Sequence, residues 1–306
     1  MTSIQTRRGF LARGIGGMAA YALLTQPGDL LAKAETKRLT GTRIRLGLNA
    51  FSFNGPLRAG KMTMDDVIDF CAKTGIDGLD PTGYYFPGYP AAPSDAYLAA
   101  LKKRAFLNGV TLNCTGTKQD FAVTDAAARQ KDIELVKTWV DVAQKLGTNG
   151  LRVFSGARVP EGKTFDQTLE YMVPAFQECC EYAGQRGVVI ALQHHNDFLK
   201  TAAETIRLVQ AVNSEWFGLV LDVGSVQQSD PYAEIEKLVP YACTWQLKEN
   251  VYRNGKAEPI DIPKIKAIID KVGYRGFVPF EALQGDGSPE VIAAFFHKIR
   301  EGMGMA

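Results

Sequence analysis

Four residues with side-chain oxygens interrupt apolar stretches in the second half of the chain: Gln193, Asp222, Gln246 and Glu281. Together they would supply two carboxylates and two amide carbonyls, a donor set that suits one hard divalent cation such as Mg²⁺ or Mn²⁺. The same four side chains could instead form a hydrogen-bonded network that binds sugar hydroxyls without metal. The spacing alone leaves both interpretations open.

Proton transfer at the same place would need a base and a proton donor. Glu281 is the preferred base, and His195 is a candidate for moving the proton onward. Strand side chains alternate between faces, so His195 shares a face with Gln193, whereas His194 points the other way. We therefore favour His195 over His194 as the catalytic imidazole.

Lys248 is the third candidate for acid–base chemistry. It stands two residues after Gln246, so the two side chains point the same way from one strand. A structural ion pair between Lys248 and Asp222 or Glu281 explains the lysine equally well. The sequence predicts both roles with equal weight.

Four further side chains are candidates for substrate binding: Asp80, Asn113, Arg152 and Tyr84. Tyr84 belongs to the loop at 82–90, which holds four aromatic residues whose faces could stack on sugar rings. Each candidate has a structural alternative. Asp80 could cap its loop, Arg152 could brace the side-chain layer beneath the site, and the aromatic loop could be a hydrophobic flap or a dimer contact.

The elements that must position these residues alternate between strand and helix from residue 43 onward. Short β-rich runs predict strands at 44–51, 78–82, 110–115, 150–154, 188–195, 217–223, 244–249 and 276–283. Periodic segments predict helices at 64–74, 95–108, 125–146, 165–186, 201–212, 232–239, 262–272 and 289–301. Eight such units in about 260 residues match a single (β/α)8 TIM barrel. A doubly wound open sheet is the alternative, but the first strand lacks the Gly-rich turn typical of that fold.

A barrel would bring the polar residues together, because the carboxyl ends of its strands meet at one face. Polar side chains interrupt the apolar runs at all eight predicted strand ends. Burying so many donors and acceptors is costly unless they bind something. The sequence therefore predicts an active site at this mouth of the barrel.

Four segments carry a family resemblance: VIALQHHNDF at 189–198, GLVLDVGS at 218–225, TWQLKE at 244–249 and GYRGFVPFE at 273–281. They resemble the xylose isomerase-like TIM-barrel superfamily and, more narrowly, its sugar phosphate isomerase/epimerase branch. The resemblance covers roughly residues 43–303. It implies one divalent metal held by four side chains, commonly Glu, Asp, His and Glu, which fall here on Gln193, Asp222, Gln246 and Glu281.

Two of these positions depart from the family pattern. Gln193 replaces the first Glu, and Gln246 replaces the His. A carboxamide has no useful pKa, so Gln193 cannot serve as a second acid–base residue, and the lost negative charge should weaken metal affinity. A reaction with one base, Glu281, remains.

The resemblance implies enolate chemistry on a keto-sugar. We expect a non-phosphorylated one, because the strand ends offer no Lys/Arg cluster for phosphate beyond Arg152 and Lys248, which lie on different strands. Glu281 would remove a proton next to a carbonyl, the metal would stabilise the enolate, and His195 or Lys248 would protonate a leaving group or return the proton. The outcome is a sugar isomerase or epimerase, or alternatively a 3-keto-glycoside lyase or hydratase. A non-catalytic carbohydrate-binding barrel is an alternative of another class. A nuclease is disfavoured, because the chain has three His residues in total.

Composition indicates a globular protein, and the first 34 residues predict that it is exported. The 306 residues are 46% hydrophobic and 22% charged, which excludes a disordered or collagen-like chain. Residues 1–34 combine Arg7 and Arg8, an apolar run at 14–24 and an A-x-A cleavage site at 32–34, the order of a twin-arginine signal peptide. The barrel domain would then span 35–306, in the periplasm or outside the cell.

The charge balance also bears on partners. Residues 1–34 hold four of the 35 basic and one of the 33 acidic residues, which leaves 31 basic and 32 acidic residues for the rest. A near-neutral body disfavours a nucleic-acid partner. We expect a small carbohydrate as the partner, no membrane association after signal removal, and a possible homo-oligomer.

Overall fold

The computed structural model describes residue 39 and residues 41–305 of the chain. The export signal predicted at 1–34, its cleavage site and the predicted domain start at 35 lie outside these residues. Within the described part, no helix combines the length and apolar character needed to cross a membrane.

The strands predicted from the sequence are present. In chain order, the described strands are β1 (Arg43–Asn49), β2 (Gly78–Asp80), β3 (Thr111–Leu112), β4 (Thr115–Gly116), β5 (Gly150–Phe154), β6 (Val189–Gln193), β7 (Phe217–Asp222), β8 (Ala242–Lys248), β9 (Asn250–Arg253), β10 (Lys256–Pro259) and β11 (Arg275–Glu281). Nine of them form one parallel sheet in the order β3-β2-β1-β11-β8-β7-β6-β5-β4. Helices surround this sheet, which confirms the predicted TIM barrel.

The barrel closes through its third strand, which is split in two. The sequence predicts one strand at 110–115, whereas β3 pairs with β2 and β4 pairs with β5. Across residues 113–114 the chain stops pairing with β2 and begins to pair with β5. The two end strands of the nine-stranded sheet, β3 and β4, are therefore consecutive in the chain. An isolated bridge between Thr82 and Gly116 adds to the closure.

Nine α-helices lie in the described part: α1 (Asn54–Arg58), α2 (Met64–Thr74), α3 (Asp95–Leu107), α4 (Ala126–Leu146), α5 (Phe165–Gly184), α6 (Ala202–Val212), α7 (Pro231–Leu238), α8 (Ile262–Val272) and α9 (Pro289–Gly302). Helices α2 to α9 correspond to the eight predicted helices, and the short α1 was not predicted. Each of these eight follows a residue whose side-chain oxygen accepts a backbone N–H of the first turn: Thr63, Ser94, Asp125, Thr164, Thr201, Asp230, Asp261 and Ser288. Local sequence thus fixes where the helices begin.

A hairpin formed by β9 and β10 was not predicted. The two strands pair antiparallel directly after β8. Their turn is Asn254-Gly255, with φ of 48° and 77°. Asn-Gly is a strong hairpin signal because both turn positions need positive φ, so the sequence did contain the information.

Strand β11 shows how the core aims the site residues. Phe280 is fully buried, and its ring lies 5.9 Å from that of Phe296 and 5.8 Å from that of Phe295, both on α9. Because strand side chains alternate, a Phe280 ring held against α9 turns the next residue, Glu281, towards the barrel interior. Packing on one face of the strand therefore orients the candidate base on the other.

We predict that Phe280→Ala lowers the free energy of unfolding by about 3–5 kcal/mol, because it leaves a cavity beneath α9. Urea denaturation of the purified protein measures this loss. Phe106→Ala on α3 is the matched control, since that ring is 81% exposed and its removal should leave the unfolding midpoint nearly unchanged. Equal effects of the two substitutions would contradict the described packing.

Candidate active site

A cavity of about 1130 Å³ opens at the carboxyl ends of the barrel strands. Several of its lining residues were predicted site residues: Tyr84, Arg152, Gln193, His195, Gln246 and Glu281. They come from strands β5, β6, β8 and β11 and from the loops after β2 and β6. The fold thus brings residues from distant parts of the sequence to one mouth, as expected for this architecture.

Beside this cavity, five side chains form a compact cluster, here called the carboxylate–lysine centre: Gln193, Asp222, Gln246, Lys248 and Glu281. Nζ of Lys248 lies 3.0 Å from Oδ2 of Asp222 and 3.5 Å from Oε1 of Glu281. The side chains of these three residues are 12%, 0% and 5% exposed, respectively. The predicted structural ion pair of Lys248 is therefore present, with both carboxylates.

The amide side chains of Gln193 and Gln246 direct their N–H groups at the two carboxylates of the centre. Nε2 of Gln193 donates to Oδ2 of Asp222 at 2.7 Å. Nε2 of Gln246 donates to Oε2 of Glu281. Oε1 of Gln246 is buried without a hydrogen-bond partner in the described part of the chain. Gln246 lines the cavity, and its Oε1 is an acceptor that the described residues leave unused.

Burial and charge act in opposite directions on the three ionisable groups. Burial raises the pKa of the Glu281 carboxyl, and this outweighs the opposing effect of Lys248. The pKa of Asp222 is lowered overall. Burial acts to raise it, but this effect is outweighed by Lys248, His194, His195 and the hydrogen bond from Gln193. Burial disfavours the Lys248 ammonium, yet the two carboxylates raise its pKa above the ordinary lysine value. Lys248 is therefore charged, Asp222 is the carboxylate it neutralises, and Glu281 is the more basic of the pair.

The donor set does not fit the predicted divalent metal. The carboxylate oxygens that would bind a metal already accept hydrogen bonds from amide N–H groups and the lysine ammonium. Among residues 41–305, no group of three or more His, Cys, Asp and Glu side chains could hold a metal ion. Gln193, Asp222, Gln246 and Glu281 do meet as predicted, but with an ammonium group among them.

The two adjacent histidines have different positions. His194 is buried, and its Nε2 accepts a hydrogen bond of 3.1 Å from the backbone N–H of Asp222. Burial lowers the pKa of His194 to about 4, so the neutral imidazole can act as this acceptor. His195 lines the cavity, where its ring meets that of Phe154 edge-on at 5.5 Å. The structure thus places at the cavity the histidine that strand alternation favoured.

Arg152 is a buried cation on the cavity wall. Its guanidinium carbon lies 4.8 Å from the ring centre of Phe154 and 5.9 Å from that of Tyr84. Its Nε has no hydrogen-bond partner among the described residues. Gly116 makes room for it, since a Cβ at that position would lie 2.5 Å from Nη2. A buried guanidinium on the cavity wall with an unpartnered Nε is suited to an oxygen that carries or develops negative charge.

The other two predicted substrate-binding residues do not line the cavity. Asp80 is buried and accepts a hydrogen bond of 2.9 Å from Nδ2 of Asn49, which does line the cavity. Asn113 lies next to Gly47 of β1, and its substrate-binding role stays a prediction. The split of the third strand explains its position: the backbone N–H of Asn113 still donates to Leu79 of β2, and the carboxyl end of the split strand is at β4, further along the chain.

Several cavity residues were missed or underrated by the sequence analysis. Asp197 lines the cavity two residues after His195, and alternation could have suggested it. Tyr85 and Tyr89 join Tyr84 and Phe51 in an aromatic wall along one side of the cavity, with ring centres 4.8–6.5 Å apart. The sequence marked the aromatic loop as a candidate for sugar stacking, and the fold was needed to place it at the cavity.

The family assignment follows from a match to a sequence-family model. The model described as xylose isomerase-like TIM barrel matches residues 68–296. The chain belongs to this family. The resemblance seen at 189–198, 218–225, 244–249 and 273–281 is thereby confirmed at the level of the superfamily. No curated protein sequence matches the chain.

Solved structures share the fold at low sequence identity. D-psicose 3-epimerase with D-tagatose from Clostridium cellulolyticum H10 is 18% identical, with a TM-score of 0.70 over 85% of this chain and 99% of that one. The IolI protein with a bound zinc atom is 15% identical, with a TM-score of 0.71 over 85% and 98% of the two chains. The probable 3-DHS dehydratase AsbF from Bacillus anthracis is 16% identical, with a TM-score of 0.62 over 83% and 98%. At these identities the likeness shows the fold alone.

We predict that Lys248→Met destabilises the protein by about 3–5 kcal/mol, because it leaves two buried carboxylates without their shared cation. Met preserves most of the apolar stem, so the loss reports on the charge. Lys145→Met is the matched control: Lys145 pairs with Asp95 at 2.6 Å, but both side chains are exposed. Urea denaturation should show a large shift for Lys248→Met and a negligible one for Lys145→Met. Similar small shifts would contradict the described burial of the centre.

Proposed function

We propose that the protein is a sugar isomerase/epimerase-type enzyme that removes a proton next to the carbonyl of a non-phosphorylated keto-sugar. The proposal depends on one observation: Glu281, a buried carboxylate of raised pKa, lines a large cavity that is also lined by the buried Arg152 guanidinium. A raised carboxylate pKa favours general-base catalysis near neutral pH. D-psicose 3-epimerase, a structural relative, supports the same class.

In this mechanism, the C–H bond next to the carbonyl breaks and its proton moves to Glu281. The electron pair moves onto the carbonyl oxygen, and the Arg152 guanidinium stabilises the resulting negative charge. Gln246 holds the Glu281 carboxylate by its N–H group and offers Oε1 to a substrate hydroxyl. Lys248 does not line the cavity, so it positions Glu281 rather than touching the substrate.

Within the carboxylate–lysine centre, Glu281 is the acid–base group that lines the cavity, since Gln193 lines it but cannot exchange a proton. Glu281 must therefore return its proton from the same side of the substrate. Its return to the former carbonyl carbon gives isomerisation when the hydroxyl proton of the neighbouring carbon moves to the former carbonyl oxygen. Epimerisation needs a donor on the other face, and His195 and Asp197 are the cavity residues that could supply one.

A divalent metal is consistent with the family, since the IolI relative holds zinc. Mg²⁺ or Mn²⁺ is the cofactor that the sequence predicted. Because the described donor set does not fit such an ion, no step of the proposed mechanism involves it.

The cavity walls support a carbohydrate substrate. The aromatic wall of Phe51, Tyr84, Tyr85 and Tyr89 offers faces for a sugar ring. Two further cations, Arg58 and Lys118, line the cavity but are exposed, so they are weaker candidates for a phosphate site than a buried cluster would be. A phosphorylated ketose belongs in the assay as a competing substrate.

A second candidate reaction is elimination from a 3-keto-glycoside. It begins with the same proton transfer to Glu281, after which the β C–O bond breaks and the leaving oxygen takes a proton. Asp197 is the residue that could give the leaving oxygen its proton. It lines the cavity, burial raises the pKa of its carboxyl group, and it is close enough to His195 for their charges to interact. The probable 3-DHS dehydratase AsbF, which shares the fold, supports the lyase class in the same way.

Proton NMR in D2O tests the proposed base and separates the two reactions. With free ketoses, 3-keto-glucosides and a ketose phosphate offered in parallel, we expect deuterium to enter a carbon next to the carbonyl. Glu281→Gln should slow this exchange at least about 100-fold. Glu178→Gln is the matched control, since Glu178 is partly exposed and bonds Lys137 far from the cavity.

The products decide between the candidates. A retained isomeric sugar selects isomerase or epimerase, and release of the aglycone selects lyase. Saturable sugar binding without exchange on any substrate would contradict both, and would favour the carbohydrate-binding barrel.

We also propose export by the twin-arginine pathway, on the basis of Arg7, Arg8 and the A-x-A site at 32–34. We predict that protein recovered from the periplasm or medium begins near Glu35, as measured by mass spectrometry of its N-terminal peptide. Replacing both Arg7 and Arg8 with Lys should leave the uncleaved chain in the cytoplasm. An intact N-terminus on all of the native protein would contradict the proposal.

A further inference from the structure

The order of the strands places the Lys248 ammonium between the two carboxylates of the carboxylate–lysine centre. Strand β8 lies between β7 and β11 in the sheet. In its register, Gln246 is opposite Asp222 of β7, and Lys248 is opposite Glu281 of β11. The ammonium therefore reaches one carboxylate on each neighbouring strand, at 3.0 Å and 3.5 Å.

The acceptor positions of Asp222 are occupied by donors from the protein. Oδ1 accepts the backbone N–H of Gly224 at 3.0 Å. Oδ2 accepts Nε2 of Gln193 at 2.7 Å and the Lys248 ammonium. A divalent ion that used Oδ2 would have to displace one of these donors, and at either oxygen it would approach an existing positive charge.

Gly224 gives the lysine stem its path to the carboxylates. A Cβ on Gly224 would lie 2.6 Å from Cδ of Lys248, closer than side-chain atoms approach one another. The loop that follows β7 thus leaves space for this stem and also donates to Asp222. The backbone of this loop, with glycine at position 224, therefore determines where the Lys248 side chain can lie.

Charge balance agrees with this arrangement. The family pattern that the sequence resembles has three carboxylates, which a divalent ion would bring to a net charge of about −1. In this chain Gln193 is neutral, and two carboxylates with one ammonium give the same net charge. The substitution of Gln193 and the placement of Lys248 compensate one another.

We propose that the Lys248 ammonium takes the place of a divalent cation in this barrel, so that Asp222 and Glu281 are held together without metal. Lys248 is then a positioning residue that keeps the Glu281 carboxylate at the cavity. This inference goes beyond the proposed reaction, because it concerns the cation of the centre whatever substrate the cavity binds.

Metal binding by the purified mature protein tests the inference directly. Manganese and zinc chlorides would each be titrated by calorimetry, and the metal content of the purified protein would be determined by mass spectrometry. We expect no stoichiometric metal, no saturable binding at the centre, and no change of the melting temperature on addition of chelator or of either salt.

Lys248→Ala should convert the centre into a metal site, because it removes the competing charge and frees two carboxylates. We expect its affinity for Mn²⁺ to exceed that of the wild type at least about tenfold, and Mn²⁺ to raise its melting temperature. Lys145→Ala, at an exposed pair, is the matched control and should behave as the wild type. If Lys248→Ala does not fold, the wild-type titration decides alone.

One equivalent of tightly bound metal in the wild type, lost together with stability on chelation, would overturn the inference. A gain of affinity in Lys145→Ala equal to that in Lys248→Ala would also do so. Absence of sugar turnover would contradict the proposed function without affecting this result, so the two failures are distinguishable.

Discussion

The site depends on one ammonium shared by two buried carboxylates. Asp222 and Glu281 reach the same Nζ of Lys248 in a part of the barrel where water is nearly excluded. Two like charges in such surroundings repel strongly, and without a cation one of them would take up a proton. With Lys248 between them, Asp222 stays ionised, Glu281 is the more basic carboxylate, and the amides of Gln193 and Gln246 turn their N–H groups towards these oxygens.

This arrangement makes the centre asymmetric, and the chemistry follows from the asymmetry. Glu281 lines the cavity, whereas Asp222 does not. Gln193, on the same wall, cannot carry a proton, so Glu281 is the one carboxylate of this centre that is available as a base. The buried positive charge on the cavity wall belongs to Arg152, for which Gly116 leaves space. A base and a buried guanidinium on one cavity support enolate formation more readily than a reaction with two opposed glutamates.

Much of this could be predicted from the sequence. Strict alternation of strands and helices predicted the barrel, and period-two alternation placed His195 rather than His194 at the cavity. What the sequence left open depends on pairing across strands. Asn113 does not line the cavity, because the third strand changes partner there. The sequence predicted an ion pair of Lys248 with Asp222 or Glu281 as one of two roles, and the register of β8 between β7 and β11 decides that the ammonium reaches both carboxylates.

Anomalous diffraction from crystals of the mature protein soaked in manganese chloride would show which cation holds the two carboxylates together. We expect continuous density from Lys248 to both Asp222 and Glu281, with no anomalous peak at the centre. A manganese peak ligated by these carboxylates, with the Lys248 side chain turned away, would contradict it. The family's metal would then belong to this chain as well.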